Sequence, residues 1–418
     1  MRAVGVHVFA GGFSYGVQQL MHVENHLEVH GFGIETAAAM CGVHVHNSPA
    51  NDWPDIPAEF AFGNPRCTGF STITAGYDDN IHGPFADCTR DIWELMNYCT
   101  GRYPIFAWES VQQAYSTGRP LINMLVEKAV DAGYRVAHLF INAASLGNAQ
   151  QRKRYFFVAY DASKNFNVNP MQLPEYSPSL YDAIWHLRNE DNECSILSPD
   201  EASVLPWLPN GWDLNMFAEY NYDLLPDRMK DTWLLRNSQM PFSMHCVKRL
   251  NWHRPSPTIF SSAGRFIHPD HDRGLSHKEI ATIMGLPIVP LGSEPVAQVA
   301  KGVCPCVGEW LAEQAIHYIN DVWGSEDWEC TYNHHTGNWK TRDTTGENEK
   351  VFDLTHYTQT RERGFPYHEF RMHRHNVDPY TGKPIRPWSE VRESYRLHSL
   401  PKRLRDEVDK CAADFPDE

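Results

Sequence analysis

The chain has 418 residues, which is enough for one large or two moderate domains with a substantial core. It shows no signal peptide and no apolar run long enough to span a bilayer, and its ten cysteines have no repeating spacing. These features favour a cytoplasmic protein with reduced thiols over a membrane protein or a disulfide-rich secreted one. The formal net charge of −15 argues only mildly against nucleic acid as a partner, because a basic cleft can lie on an acidic body.

The first 160 residues alternate short apolar segments with amphipathic ones. Strands are predicted at residues 4–9, 31–34, 43–46, 60–63, 104–108, 135–142 and 154–160. Leu121, Leu125 and Ala129 recur at four-residue spacing, which predicts a helix with one apolar face. This alternation favours an α/β fold with a doubly wound, mostly parallel sheet that binds its ligand at the carboxyl ends of the strands.

The pattern changes after residue 160. From about 161 to 247, Trp, Asn, Asp and Pro become frequent and periodicity fades, which predicts a smaller loop-rich domain. Residues 248–318 regain helical regularity, and Ser276 and Glu279 have the spacing of a capping box at a helix start. The stretch from about 321 to 418 is rich in His, Trp, Tyr and charge, with a charged helix predicted at 390–410.

A cysteine loop and a series of motifs around it carry the candidate chemistry. Cys67 lies in the run Gly-Asn-Pro-Arg-Cys-Thr-Gly-Phe-Ser of residues 63–71, where a predicted strand ends. A thiol held rigidly in such a loop is typical of a nucleophile facing a cleft. The other motifs, in chain order, are the glycine-rich turn 9–16, Glu35, the segment 104–111, the basic run 150–154 and the segments 254–259, 273–281 and 298–305.

In this order the motifs resemble those of the cytosine carbon-5 DNA methyltransferase family, over roughly residues 1–318. The resemblance implies a Rossmann-like, S-adenosylmethionine-dependent methyltransferase fold, with a catalytic cofactor-binding domain at 1–160 to which 299–318 returns. It assigns 161–298 to a smaller loop-rich target-recognition domain and the motifs that follow. The extension 319–418 has no counterpart in the family pattern, and its role is not predicted.

The resemblance also implies the substrate and the catalytic residues. The substrate is a cytosine flipped out of double-stranded DNA. Cys67 would attack carbon 6, which makes carbon 5 enamine-like and able to take an alkyl group; loss of the carbon-5 proton then expels the thiol. Glu109 would stabilise the charge that develops at N3. Arg152 and Arg154, which alternate on a predicted strand, would contact the cytosine and a neighbouring phosphate, and Thr258 would help position the active-site loop.

The resemblance places the cofactor at the glycine-rich turn and at two later loops. The turn would border the methionine part of S-adenosylmethionine, and Glu35 would hold the ribose hydroxyls. The turn is shorter than the family pattern Phe-x-Gly-x-Gly-Gly. No metal is expected. The predicted cofactor-binding residues are Phe9, Ala10, Gly11, Gly12, Phe13, Glu35, Pro65, Arg66, Lys301 and Gly302.

Two departures from the family pattern place cations near the sulfonium end of the cofactor. Pro-Pro-Cys-Gln becomes Pro65-Arg66-Cys67-Thr68, and the family's late asparagine becomes Lys301. A cation about 4 Å from a sulfonium costs a few kcal/mol at an effective dielectric near 20, unless an anion lies between them. We therefore expect Lys301, with Arg66 as a second candidate, to pair with the carboxylate of carboxy-S-adenosylmethionine, giving 5-carboxymethylcytosine. Arg66 is also expected to increase the thiolate fraction of Cys67.

Several alternatives stay open at this point. Lys301 can instead turn outward to a DNA phosphate or an acidic side chain, with ordinary methyl transfer as the reaction. RNA is a less favoured acceptor, because the 161–247 insert suits a sequence-reading domain. An inactive DNA-binding module is disfavoured by the intact Cys67, Glu109, Arg152 and Arg154. The resemblance implies a bacterial cell, or a virus-infected one, as the setting; the target sequence and oligomeric state are not predicted.

Overall fold

The computed structural model describes residues 1–70, 84–116, 118–168, 177–190, 197–231, 247–260, 265–322, 340–341 and 348–355. The predicted helix at 390–410 lies outside these residues. Contacts divide the chain into two compact units. Of the described residues, the first unit holds those up to 190, those of 254–260 and those from 277 onward, and the second holds 197–231, 247–253 and 265–276.

The strands and helices alternate through the first part of the chain. The strands are β1 (Arg2–Val6), β2 (His22–Glu28), β3 (His44–Asn47), β4 (Phe60–Gly63), β5 (Ile105–Ser110), β6 (Tyr134–Asn142), β7 (Gln150–Gln151), β8 (Lys153–Asp161), β9 (Lys248–Arg249), β10 (Ser256–Pro257), β11 (Phe266–Ile267), β12 (Lys340–Thr341) and β13 (Glu349–Leu354). The helices are α1 (Gly12–Val17), α2 (Ile34–Cys41), α3 (Pro84–Cys99), α4 (Gln113–Ser116), α5 (Arg119–Asp131), α6 (Leu180–Ile184), α7 (Pro199–Val204), α8 (Leu214–Tyr220), α9 (His277–Met284), α10 (Pro295–Lys301) and α11 (Pro305–Ile319).

Among the described residues of the first unit, one sheet has the strand order β12-β13-β6-β8-β5-β4-β1-β2-β3. Strands β5, β4, β1, β2 and β3 pair in parallel with one another, whereas β8 runs antiparallel between β5 and β6. The central strands β4 and β5 are buried along their whole length, which is why they read as continuous apolar runs. The predicted mostly parallel α/β sheet is confirmed.

The sequence misplaced the second strand. Residues 31–33 form a turn with Gly31 and Gly33 at φ 62° and 76°, so the strand predicted at 31–34 is wrong. The strand is β2, whose sequence His-Val-Glu-Asn-His-Leu-Glu looks polar although His26 and Glu28 are buried. Nε2 of His26 lies 2.6 Å from the hydroxyl of Ser14, and a sequence alone does not reveal such a partner.

Two other boundaries also differ from the prediction. Strand β1 ends at Val6 because His7 and Phe9 have φ of 54° and 48°, which no strand residue adopts. The helical regularity predicted for 248–318 is divided, near 299–318, between two helices, α10 and α11, with Gly302 as the cap of α10 and Pro305 as the first residue of α11. Helix α11 packs tightly on α1, since a Cβ at Gly16 would lie 2.0 Å from the Pro305 carbonyl oxygen.

The C-terminal extension contributes a strand to the catalytic sheet. Strand β13 pairs in parallel with β6, and the Val136 amide donates to the Asn348 carbonyl at 2.9 Å. Glu349 Oε2 lies 2.8 Å from Nε2 of the buried His138 and 3.2 Å from the Arg119 guanidinium. The hydrogen bond with His138 lowers the pKa of Glu349. Residues 348–355 of the extension therefore form part of the fold of the first unit.

The second unit is loop-rich and has its own apolar core. Its described elements are α7, α8 and the parallel pair β9 and β11, around a cluster that includes Leu205, Trp212, Phe217 and Ile267. The buried guanidinium of Arg249 donates to the carbonyl oxygens of Leu205, Leu208, His268 and His271 at 2.7–3.1 Å. One arginine thus satisfies backbone carbonyls that short elements leave unpaired. In the described ranges no helix is both long and apolar enough to cross a membrane.

Candidate active site

The candidate site lies where β4 and β5 end side by side. Gly63 pairs with Trp108, so the residues that follow, Asn64 and Glu109, are neighbours on parallel strands. The Asn64 side-chain amide donates a hydrogen bond to Glu109 Oε2. Cys67 follows three residues after Asn64, which brings the predicted nucleophile and the predicted acid to the same edge of the sheet. Asn64 stands in the cysteine motif, but no role was predicted for it from the sequence.

Glu109 is a buried carboxyl held by two strands. Its exposed fraction is 1%, and its Oε1 lies 2.8 Å from Arg154 Nε on the antiparallel strand β8. Burial raises the pKa of Glu109, although Arg154 and Arg152 act in the opposite direction. A carboxyl that stays protonated to higher pH can donate a hydrogen bond to a ring nitrogen, which suits the role predicted for it.

Cys67 is a neutral thiol in the absence of substrate. Burial raises its pKa to about 12, Glu109 adds to this effect, and Arg154 and Arg152 oppose it. The expectation that Arg66 increases the thiolate fraction is wrong. The Arg66 guanidinium binds Asp91 at 2.6 and 2.8 Å and lies 3.2 Å from Asp87, so two carboxylates already compensate its charge.

This pKa gives a testable pH dependence for the free protein. A thiol with a raised pKa is neutral at pH 7, and its reactive thiolate increases as pH rises toward the pKa. We expect the rate of Cys67 alkylation by iodoacetamide to rise about tenfold per pH unit from about pH 7 to about pH 10, without a plateau. Mass spectrometry of the Cys67 peptide measures this rate. The same peptide in urea should level off near pH 9; a plateau there in the folded protein would contradict the assignment.

Arg152 and Arg154 lie together, as the alternation predicted, but they use their donors differently. Both line one small cleft, together with Ile141, Ala143, Phe156, Val303, Cys304 and Val307. Arg154 is part-exposed and faces Glu109, whereas Arg152 is buried and donates to the carbonyl oxygens of Ala300 at 2.6 Å and Gly302 at 2.8 Å. Burial lowers the pKa of Arg152 to about 10. Arg152 therefore holds the carbonyl oxygens of the two residues on either side of Lys301.

The predicted positioning segment around Thr258 lies beside this arginine pair. Strand β10 pairs in parallel with β7, so Ser256 and Pro257 run alongside Gln150 and Gln151. The Thr258 hydroxyl donates to the Gln151 carbonyl at 2.8 Å. The contact is immediately next to Arg152, in agreement with a positioning role.

On the cofactor side, two glycine turns pack against each other. Gly11 and Gly33 have φ of 80° and 76°, and a Cβ at Gly33 would lie 2.8 Å from the Ala10 amide nitrogen. Between the turns lies Glu28, the last residue of β2, which is buried and accepts hydrogen bonds from the Val8 and Phe9 amides. Burial raises its pKa to about 8.

The strand-end acid of β2 is therefore Glu28 and not Glu35, which is exposed in the first turn of α2 near Gly292. The signal that would have found Glu28 is its position at the end of a strand, and the misplaced strand at 31–34 hid it.

Phe32 contacts both the glycine-rich turn 9–16 and the segment 298–305. The Lys301 ammonium lies 4.1 Å from the centre of the Phe32 ring, and the Phe9 ring meets Phe32 edge-on with 6.1 Å between centroids. Within the described part of the chain, Lys301 has no carboxylate at ion-pair distance. Phe13 instead packs in the core, with its ring centre 4.8 Å from that of Phe62. The remaining predicted residues Ala10, Gly12, Pro65 and Gly302 are buried around these turns.

Four short runs in the sequence, at 44–46, 268–271, 304–306 and 334–335, have His, Cys or Asp at spacings that also occur in metal sites. In the ranges given above, no group of three or more His, Cys, Asp or Glu side chains is arranged to hold a metal ion. The pair at 334–335 lies outside the described residues.

Comparisons with known proteins identify the family and the fold of the chain. A model of the family "C-5 cytosine-specific DNA methylase" matches residues 46–317. A protein described as a DNA modification methyltransferase encoded within an E. coli prophage is 17% identical, with a TM-score of 0.51 over 77% of this chain and 99% of its own. The Entamoeba histolytica methyltransferase EhMeth is 10% identical, with a TM-score of 0.52 over 76% and 99%. These similarities show a shared fold. A search of curated proteins found no match.

Proposed function

Because the chain belongs to the C-5 cytosine-specific DNA methylase family, we propose that it transfers a one-carbon-linked group to carbon 5 of cytosine in DNA, with Cys67 as the nucleophile. The observation that carries this proposal is the contact of Glu109 with Asn64 and Arg154 on the edge of the sheet from which the Cys67 loop leaves. Double-stranded DNA is the proposed substrate, with the target cytosine flipped into the site. We assign its sequence recognition to the loop-rich unit.

The residues of the chain divide the chemistry between them. The Cys67 sulfur bonds to carbon 6 after it loses its proton, and Arg154 and Arg152 favour the thiolate. Burial favours the protonated form of Glu109, and in that form it donates to N3 as electron density moves there. Carbon 5 would then bond to the transferred carbon as the bond from that carbon to the sulfonium sulfur breaks, with its electron pair left on the sulfur. When its proton leaves to a base, the C6–S bond breaks and the thiolate returns.

The glycine turns, the buried Glu28 and the Phe32–Lys301 contact fit a nucleoside-sulfonium cofactor, which supplies the electrophilic carbon when it is bound. Gly11 and Gly33 let the backbone approach it, and we assign the ribose hydroxyls to Glu28 or Glu35. The family implies S-adenosylmethionine as this cofactor.

For the transferred group, we propose carboxymethyl from carboxy-S-adenosylmethionine. Lys301 supports this assignment, because its ammonium lies against Phe32, next to the cofactor turns, and has no carboxylate partner in the described ranges. Arg66 does not support it, since Asp91 and Asp87 already bind its guanidinium. Lys301 is therefore the proposed selector, and its alternative partner is a DNA phosphate, with ordinary methyl transfer as the reaction.

A competition decides between the two groups. The protein is incubated with cytosine-containing DNA, or in a parallel reaction with RNA, and with equal concentrations of S-adenosylmethionine and carboxy-S-adenosylmethionine. The nucleic acid is then digested to nucleosides, which are identified by mass spectrometry. Mainly 5-carboxymethylcytosine supports the proposal, and mainly 5-methylcytosine indicates ordinary methyl transfer. Product on RNA but not DNA identifies an RNA acceptor. If neither cofactor gives a product but the protein still binds DNA, the protein is an inactive binding module.

We expect Lys301→Asn to reduce the preference for the carboxylated cofactor. Loss of one charge-assisted contact corresponds to about tenfold in the ratio of the two dissociation constants, or about 1.4 kcal/mol, measured by calorimetry without DNA. The product ratio should shift the same way. The control is Lys128→Asn, since Lys128 also lies over a ring, that of Trp93, at 5.7 Å. An unchanged ratio of dissociation constants in Lys301→Asn would rule out Lys301 as the selector.

A further inference from the structure

Asp91 is a buried carboxylate that the chemistry above does not use. It lies on α3 with 0% exposure, and its oxygens accept hydrogen bonds from Arg66 Nε at 2.6 Å and Arg66 Nη2 at 2.8 Å. His30 Nε2 lies 3.1 Å from Asp91 Oδ1. Arg66 immediately precedes Cys67, and His30 belongs to the loop between β2 and α2 that carries Phe32. One carboxylate thus binds both loops.

The contact between Asp91 and Arg66 is a bidentate ion pair. Two guanidinium nitrogens face the two carboxylate oxygens, which is the bidentate arrangement that fixes direction as well as distance. Burial alone would raise the pKa of Asp91, but the Arg66 hydrogen bonds and the charges nearby outweigh it and lower the pKa. Asp91 is therefore ionised at neutral pH. Removing either partner of such a buried pair leaves the other uncompensated.

Helix α3 holds the nucleophile loop on both sides of Cys67. The Gly69 amide donates to the sulfur of Cys88 at 3.2 Å, and Cys88 lies one helical turn before Asp91. In the resembled family pattern a proline stands at the position of Arg66, and its ring would fix the backbone φ there. Arginine cannot do so, which leaves the loop to be held by side-chain contacts.

We propose that Asp91 is a positioning residue that holds Arg66, and with it the Cys67 loop, and joins this loop through His30 to the loop that follows β2. This inference rests on the proposed role of Cys67 as the nucleophile. In this proposal Arg66 anchors the Cys67 loop to α3 through its contact with Asp91.

Asp91→Asn and Asp87→Asn form a matched pair of variants. Both residues are on α3 and contact Arg66, but the Asp87 side chain is 42% exposed, so its ion pair contributes little. We expect Asp91→Asn to reduce kcat about 30-fold with KM for the cofactor within about threefold, and Asp87→Asn to stay within about twofold of wild type. Arg66→Ala should match Asp91→Asn, and the double variant should lose no more. The proposal would be overturned if Asp91→Asn and Asp87→Asn reduced kcat equally. It would also be overturned if kcat of the double variant fell by the product of the reductions in Arg66→Ala and Asp91→Asn.

A second readout needs no DNA product, so it separates this inference from the proposed function. Release of the loop exposes the Cys67 thiol, and we expect Asp91→Asn to accelerate its alkylation by iodoacetamide about fivefold while Asp87→Asn does not. Cys99, buried on the same helix, reports unfolding and should stay unreactive. If Cys99 also reacts in Asp91→Asn, that variant is unfolding, and the rate of Cys67 alkylation in Arg66→Ala is the test instead. An unchanged Cys67 rate in a folded variant contradicts the proposal even if wild type makes no product.

Discussion

Replacement of Cys67 by serine is expected to reduce product formation by at least about 10⁴-fold. A serine hydroxyl has a much higher pKa than a thiol and is a poor nucleophile toward carbon 6, so the covalent step is lost while the cofactor turns and Glu109 remain in place. Single-turnover assays with a radiolabelled cofactor measure the loss. Because only the nucleophile changes, calorimetric cofactor affinity should stay within about twofold.

The control for this prediction is Cys306→Ser. Cys306 is also part-buried, and its thiol faces the Ala143 carbonyl at 3.9 Å. We expect it to retain product formation within about threefold of wild type. A Cys67→Ser protein that forms product at the wild-type rate would refute covalent catalysis by this residue. If that variant also equals wild type in every binding assay, a DNA-binding module without activity becomes the better description.

Replacement of Glu109 by glutamine is expected to lower kcat by about 10³-fold, within the range that general acid catalysis contributes. The amide keeps the shape of the side chain and can still meet Arg154 or Asn64, but its N–H is far too weakly acidic to transfer a proton to N3. Single-turnover rates at saturating DNA and cofactor measure the effect. A variant that retains more than about a tenth of kcat would exclude Glu109 as the proton donor.

The same side chain sets the alkaline limb of the pH profile. Burial raises the pKa of Glu109, so its neutral form persists above the usual range and disappears as pH rises through the folded value. Because the Cys67 thiolate increases over the same pH range, wild-type kcat should stop rising on that limb as neutral Glu109 is lost, while kcat of Glu109→Gln should continue to rise. Glu94→Gln is the matched control, since burial also raises the pKa of Glu94, and it should keep both the limb and kcat within about threefold. If Glu94→Gln also lost the alkaline limb, this limb could not be assigned to Glu109 alone.

The sequence predicted the parts of the site that depend on local pattern. The apolar run 60–63 has the bounds of β4, and the Cys67 loop follows it directly. Glu109 and Arg154 were assigned separately, and the structure joins them at 2.8 Å because β5 and β8 are adjacent. Strand order explains this success, since polar side chains at the ends of neighbouring strands meet at one edge.

The residues that were missed share a different physical cause. Glu28 and Asp91 are buried carboxylates whose partners are distant in sequence, namely the Val8 amide for the first and Arg66 for the second. In a sequence such residues look like solvated charges, because burial is possible only once the partner is in place. Arg66 was misread for the same reason: its cation suggested an anionic ligand, while the compensating carboxylates lay on α3 within the chain.

The strand from the C-terminal extension has a consequence for how the protein is made. Strand β6 is complete after residue 142, but its parallel partner β13 leaves the ribosome only after about 200 further residues. Until then the amides and carbonyls along that side of β6 are an open template for other chains. An expression clone that stops where the family motifs stop, near residue 318, would keep that template permanently, so a clone intended for crystallisation should extend through at least residue 355.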